Sequence, residues 1–143
     1  MDIRAAKAVI TGGASGLGAG VGRYLASRGA QITLVDLQLE AGQKTAADIG
    51  PSARFIQCDV TQESAVEKTL QAAADAMGGI NLLVNCAGII GAGRVLGRNG
   101  PMAGDFFTKV IHVNLIGTFL CDKAAAALMQ HNAPNEDGER GVL

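Results

Sequence analysis

The residues with the plainest chemical potential are those of Thr11-Gly12-Gly13-Ala14-Ser15-Gly16-Leu17-Gly18. A short apolar run, Ala8-Val9-Ile10, precedes them, and a helical spacing through Leu17, Val21, Leu25 and Arg28 follows. A strand that breaks into a glycine-rich turn and then opens a helix is suited to holding a dinucleotide pyrophosphate. Glycine lets the turn bend sharply and lets the backbone approach the phosphates without a Cβ in the way. The helix N-terminus adds unpaired N–H groups and the positive end of its dipole. On this reading Gly12, Ser15, Gly16, Leu17 and Gly18 form a cofactor cradle. The spacing is Gly-x-x-x-Gly-x-Gly rather than Gly-x-Gly-x-x-Gly, and a P-loop is excluded because no Gly-Lys-Ser/Thr follows. In a chain with 20 glycines the turn alone would also pass for an ordinary loop, so the residues downstream must carry part of the argument.

Asp36 ends an apolar run, Gln31 to Val35, 18 residues beyond Gly18. A carboxylate at about that distance accepts hydrogen bonds from the adenosine ribose hydroxyls and repels a 2′-phosphate. Neither Ser15 nor Leu37 supplies a compensating cation, so NAD is favoured over NADP. A strand-end aspartate capping its own turn is the bland alternative. Asp59 and Asn85 end two further apolar runs, so three polar side chains gather at one end of successive strands. Each alone is a common turn former. Asn114 falls on the inner face of a long helical pattern, where a buried amide needs partners; a purely structural hydrogen bond is the even alternative. His112 and His131 read as surface or helix-end residues. Tyr24 and Arg28 stand four apart, but arginine stays protonated and is a poor proton shuttle, so this pair is rejected as catalytic.

These residues need elements to position them. Strands are expected near residues 7–10, 31–36, 54–58 and 80–84, with a fifth beginning at Gly141-Val142-Leu143. Between them helices are expected after Gly16, over 38–49 with Leu39, Gln43, Ala46 and Ile49 inward, and after a Thr61 cap with Val66, Leu70, Ala73 and Met77 inward. Residues 89–104 are the least regular region. A long helix is expected from about Gly104 to Gln130, with Val110, Val113 or Asn114, Gly117, Cys121, Ala125 and Leu128 inward. Alternating strands and helices with short connections imply an α/β fold, a Rossmann-type doubly wound parallel sheet with helices on both faces. Residues 1–143 then form one NAD-binding domain that stops inside its fifth strand, the N-terminal part of the fold.

Apolar residues make up 48% of the chain and aromatics 3%, so packing depends on Ala, Val, Ile and Leu. A net charge of −1 gives no electrostatic case for nucleic acid or an anionic membrane. No apolar run is expected to span a membrane, and Met1-Asp2-Ile3-Arg4 is not a secretory signal. Cys58, Cys86 and Cys121 are odd in number and lack metal-ligand spacing, so no metal site is expected. They read as reduced thiols of an intracellular protein: cytoplasmic, with the mitochondrial matrix as the alternative.

Taken together the motifs resemble the short-chain dehydrogenase/reductase family. Thr11-Gly12-x-x-x-Gly16-x-Gly18 is similar to its cofactor motif and Asp36 to its NAD-preferring variant. Asp59-Val60 is similar to its adenine-contacting position, and Asn85-Cys86-Ala87-Gly88 to its Asn-Asn-Ala-Gly motif with one departure. Asn114-Leu115-Ile116-Gly117 is similar to the helix motif that carries its active-site asparagine. Cysteine at the position of Cys86 is usual in the group of type 2 3-hydroxyacyl-CoA dehydrogenases, also known as type 10 17β-hydroxysteroid dehydrogenases. The resemblance implies that Asp59, Val60, Asn85, Cys86, Ala87 and Gly88 bind the cofactor and that Asn114 belongs to the catalytic set. It implies hydride transfer between NAD and a secondary alcohol or ketone as small-molecule substrate, foremost a 3-hydroxyacyl-CoA of fatty acid metabolism. It also implies a homo-oligomer, a tetramer built on the long helix. The family's serine, tyrosine and lysine have no counterpart in this chain, whose single tyrosine is Tyr24. The 143 residues are therefore expected to be inactive alone. The reading from another class is a nucleotide-binding regulatory or interaction module without catalysis.

Overall fold

The computed structural model describes residues 1–98 and 100–143. Its main sheet contains β1 (Lys7–Thr11), β2 (Gln31–Asp36), β3 (Ala53–Gln57) and β4 (Leu82–Asn85), all parallel, in the order β3-β2-β1-β4. Val142 bridges Leu82 in parallel on the free side of β4, where the start of a fifth strand was expected. The connections are α1 (Gly16–Ser27), α2 (Leu39–Ile49) and α3 (Glu63–Met77). The chain runs outward from β1 to β3, then α3 carries it back across the sheet to place β4 beside β1. That reversal opens a crevice at the C-terminal ends of β1 and β4, the position where open α/β sheets bind ligands.

Alternating side chains fill two cores, as a sheet covered on both faces requires. Ala8, Ile10, Ile32 and Leu34 face α1 and α2, whereas Val9, Val35 and Leu83 face α3 and the C-terminal helix. On α3 the stripe Val66, Leu70, Ala73 and Met77 is buried as expected.

The first two helices bury only some of the residues expected, Leu25 and Ala46 among them. On α1 the inward positions are Gly18, Ala19, Gly22 and Leu25, while Leu17 is 84% exposed. Helix α1 lies so close to the turn that a Cβ on Gly18 would stand 2.2 Å from the Gly12 carbonyl oxygen. That contact rotates Leu17 outward. On α2, Gly42, Thr45 and Ala46 are buried, whereas Leu39 and Gln43 are exposed. The Phe55 ring lies over Gly42, and Thr45 Oγ1 donates to the Ala14 carbonyl at 2.8 Å. Thr61 does not cap α3, since Gln62 occupies the N-cap position.

The long helix is continuous from Gly104 to Met129 but is not uniform: α4 (Gly104–Ile111) leads into a π-helical segment (His112–Gly117) and then α5 (Thr118–Met129). Residues 89–104 contain a small antiparallel ribbon, β5 (Leu96–Gly97) with β6 (Gly100–Pro101). The 26-residue helix also corrects the expectation about membranes. It contains an 18-residue stretch of mean hydropathy 1.2, so its length and composition would suffice to cross a bilayer. Polar residues such as His112, Asn114 and Thr118 interrupt the apolar run without lowering the average enough to fail that measure. One face nonetheless packs on protein: Cys121, Ala124, Ala125 and Met129 join the α3 core, and Lys123 pairs with Glu63 and Glu67.

Candidate functional site

The glycine turn is held by β2. Gly13 N–H donates to the Val35 carbonyl at 3.1 Å, and Ala14 N–H donates to Asp36 Oδ2 at 3.1 Å. Asp36 Oδ1 accepts from Gln38 N–H at 3.1 Å. Each carboxylate oxygen thus has one protein partner and keeps capacity for another, because an ionised carboxylate accepts about four hydrogen bonds. Asp36 thus orders its own turn and also lines the crevice. Gly12 and Gly16 have positive φ values, +64° and +52°. Gly12 is also tight, since a Cβ there would stand 2.6 Å from the Cys86 carbonyl, whereas Gly16 has nothing within 4 Å. One glycine lets two strand ends meet; the other leaves open space beside the start of α1.

Thr11, fully buried at the end of β1, binds the two strand ends together. Its Oγ1 accepts from Cys86 N–H at 3.2 Å and Ala87 N–H at 3.1 Å, and donates to Asn85 Oδ1 at 3.5 Å. Sequence reading placed Thr11 in the motif but gave it no role. The signal was a hydroxyl at the last position of a buried strand, where it needs partners.

A cavity of about 360 Å³ lies over these strand ends. Gly12, Ser15, Asp36, Asp59, Val60, Cys86, Ala87 and Gly88 line it. Val35, Val60 and Val113 give it apolar walls. Asp59 Oδ1 accepts from Thr61 N–H at 2.9 Å and Thr61 Oγ1 at 2.7 Å, so Thr61 closes the Asp59 turn. Burial pushes the Cys86 thiol above its ordinary pKa, as it does that of Cys58. Both thiols stay protonated near neutrality, so Cys86 serves as a small wall residue rather than a nucleophile.

Three expected residues stand differently. Asn85 turns away from the cavity: as the register partner of Thr11 it projects on the same side of the sheet, and its Nδ2 donates to Asp122 Oδ1 at 2.7 Å. Gly18 acts through helix packing, as its contact with Gly12 shows. Asn114 is exposed, not buried. It lies in the π-helical segment, where its Nδ2 donates to the Ile89 carbonyl at 3.0 Å and its Oδ1 accepts from Ile89 N–H at 2.9 Å. The cover over it is no more than the 88–89 loop, where a Cβ on Gly88 would stand 3.3 Å from Asn114 Oδ1. Short π segments inside α-helices recur at functional sites, and no residue pattern marked this one. The rejected Tyr24–Arg28 pair forms a surface contact, the guanidinium 5.1 Å from the ring centroid.

A second hollow, about 420 Å³, lies at the opposite ends of the strands. Its polar groups are already used in stitching. Asn81 Oδ1 accepts from Lys7 N–H at 2.7 Å, Lys7 Nζ donates to the Gly78 carbonyl at 2.7 Å, and Asn132 Nδ2 donates to the Ile80 carbonyl at 2.8 Å. The chemistry lies at the other end.

The comparisons with known proteins agree with this placement. The short chain dehydrogenase family profile matches residues 6–141. The chain belongs to the short chain dehydrogenase family. It is 41% identical to a 3-hydroxyacyl-CoA dehydrogenase type-2 from Drosophila melanogaster, over 99% of this chain and 56% of that protein. It is 38% identical to the protein of the same name from Bos taurus, over 99% of this chain and 55% of that one. The crystal structure of 3-hydroxyacyl-CoA dehydrogenase type-2 from Mycobacterium avium superposes with a TM-score of 0.87 at 34% identity, covering 96% of this chain and 55% of that chain. The chain thus spans about half the length of the curated relatives it matches. Membership of a dehydrogenase family implies a nicotinamide cofactor, and it disfavours the non-catalytic module. The donor set fits such a cofactor: apolar walls for a base, a strand-end carboxylate for ribose hydroxyls, and a glycine turn opening a helix for phosphates.

Proposed function

We propose that this short-chain dehydrogenase binds NAD and serves the interconversion of a secondary alcohol and a ketone, with 3-hydroxyacyl-CoA and 3-oxoacyl-CoA as the substrate pair. The observation that carries the cofactor choice is the position of Asp36, which lines the cavity beside Gly12 and Ser15 with hydrogen-bonding capacity on both oxygens. The substrate rests on what the relatives are named for. Gly12, Ser15, Gly16, Leu17 and Gly18 belong to the phosphate turn, with Gly18 acting through packing. Asp59, Val60, Cys86, Ala87 and Gly88 hold the adenosine end, and Asn85 supports that wall through Thr11. Asn114 sets the position of the loop at 88–89 and retains one N–H and one lone pair. It is the residue of this chain we place at the reacting end. When bound, the nicotinamide supplies or takes up the hydride; the residues described here bind and orient it.

The same reading makes the protein a homo-oligomer, a tetramer, built on the apolar outer face of the long helix. Its three unpaired cysteines suit a reducing compartment, so we place it in the cytoplasm or the mitochondrial matrix. Cofactor choice is tested by dissociation constants for NAD and NADP on the unmodified protein and on Asp36→Asn, which keeps an acceptor oxygen but loses the charge. NAD is expected to bind tighter by tenfold or more, since charge-assisted hydrogen bonds contribute about 1.5–3 kcal/mol each. The substitution should narrow that gap. Equal affinities in the unmodified protein overturn the assignment to NAD.

A further inference from the structure

Lys109 lines the cavity, on α4 one helical turn before Val113, which lines it too. No residue pattern pointed to it, because it lies 73 positions beyond Asp36 on another element. It also lines an adjoining groove of about 520 Å³, which shares Leu37, Asp59 and Val113 with the cavity. It therefore stands at the boundary between the two. The cavity wall contains two carboxylates, Asp36 and Asp59, and Lys109 is the lysine or arginine among its described lining residues. The two carboxylates accept hydrogen bonds, Asp36 from Ala14 and Gln38 and Asp59 from Thr61, whereas the described ion pairs and hydrogen bonds give the Lys109 ammonium none. Asp105, on the same helix, borders the groove but not the cavity.

A nucleotide carries negative phosphate charge. Entry between two carboxylates is opposed by like charge unless a cation offsets them, and the helix N-terminus offsets only the phosphate end. An ammonium on a flexible four-carbon stem reaches a ligand at a rim without a fixed geometry of its own. We propose that Lys109 is a nucleotide-binding residue: its ammonium donates to the adenosine moiety of the bound nucleotide and offsets Asp36 and Asp59. This inference rests on the nucleotide reading of the cavity. It makes the adenosine end a three-sided site: Asp36 from β2, Asp59 from beyond β3 and Lys109 from the long helix.

The test measures binding of AMP, NAD and nicotinamide mononucleotide by calorimetry to the unmodified protein and to Lys109→Met, Lys109→Glu and Lys109→Arg. Thermal melts verify folding, which an exposed side chain should not affect. Lys109→Met is expected to weaken AMP and NAD by the same factor, about three- to fivefold for a charge at a solvent-open rim. Lys109→Glu should weaken both further, Lys109→Arg should restore them, and nicotinamide mononucleotide should be unchanged. The fall of AMP affinity with added salt should flatten in Lys109→Met. AMP affinity within measurement error of the unmodified protein in both Lys109→Met and Lys109→Glu overturns the role of Lys109 while leaving the nucleotide site standing. Failure of the unmodified protein to bind AMP or NAD overturns the nucleotide reading, and this inference with it.

Discussion

The glycine turn and the outer face of the long helix are built on opposite terms. Around the turn, hydrogen bonds join one element to the next: Thr11 ties Cys86 and Ala87 to β1, Asp36 ties Ala14 to β2, and Thr45 ties α2 to the turn. Small residues let the elements touch. On the helix the reverse holds. Phe107, Ile111, Leu115 and Phe119 recur at intervals of four residues, and Phe107, Leu115 and Phe119 are each about 60% exposed. The turn is completed by contacts within this chain; the helix face is an unfinished surface. Local closure can be specified by short-range spacing, whereas an apolar face is specified only jointly with whatever covers it.

The largest effect should come from breaking the closed region. Gly18→Val places a Cβ where the Gly12 carbonyl stands, at 2.2 Å, and a backbone atom cannot move aside cheaply. Overpacking typically costs about 1–3 kcal/mol. Here the clash is with the turn itself, so loss of nucleotide binding together with a lowered melting temperature is expected. Gly16→Ala separates the other glycine role. Nothing lies within 4 Å, but φ is +52°, so the left-handed backbone costs about 1–2 kcal/mol and the methyl enters the space left for phosphate. It should fold and bind NAD weakly. If Gly18→Val binds NAD as tightly as the unmodified protein, the turn has been misread.

This contrast also marks what the sequence made legible. The four strands and the polar residues near their ends were readable because the apolar runs, glycines and carboxylates that define them lie within a few positions of one another. Val142 paired beside β4 as its residue type suggested. Leu17 was misplaced because α1 packs through Gly18, whose close contact with Gly12 the apolar helical spacing does not register. The bond that turns Asn85 from the cavity, to Asp122, spans 37 residues, so no local pattern contains it. The π segment and Lys109 were invisible for the same reason: each depends on where the long helix lies against the sheet.

A medium effect should appear in the core shared by α3 and α5. Burial pushes the Cys121 thiol from its ordinary value of 9.0 up to about 12, with the nearby Cys58 and Asp122 adding to the shift. The folded state therefore holds this proton more tightly than the unfolded chain does. The corresponding stability is fully present below pH 9 and is lost as pH rises from about 9 toward 12, at up to roughly 1.4 kcal/mol per pH unit. Urea midpoints measured between pH 8 and pH 11 should fall, and Cys121→Ala should flatten the fall even though it lowers the starting value. A profile with the same slope in Cys121→Ala would place the alkaline sensitivity elsewhere.

The smallest change to the nucleotide site should come from the helix face, although it should change the assembly most. Leu115 projects outward, away from α3, one residue past Asn114. Leu115→Lys and Phe119→Asp place charges in the middle of the exposed stripe without touching the cavity lining. If the stripe joins copies of this protein, a buried charge there would oppose association, and light scattering at micromolar concentration should show smaller species than the unmodified protein. AMP affinity should remain within twofold, because the site is completed by residues on the other side of the helix. Unmodified protein that is monodisperse and monomeric would remove the oligomer from the reading. Weakened AMP binding in Leu115→Lys would instead mean that the helix transmits its surface state to Lys109 and Val113, and that the two regions are less independent than their contacts make them.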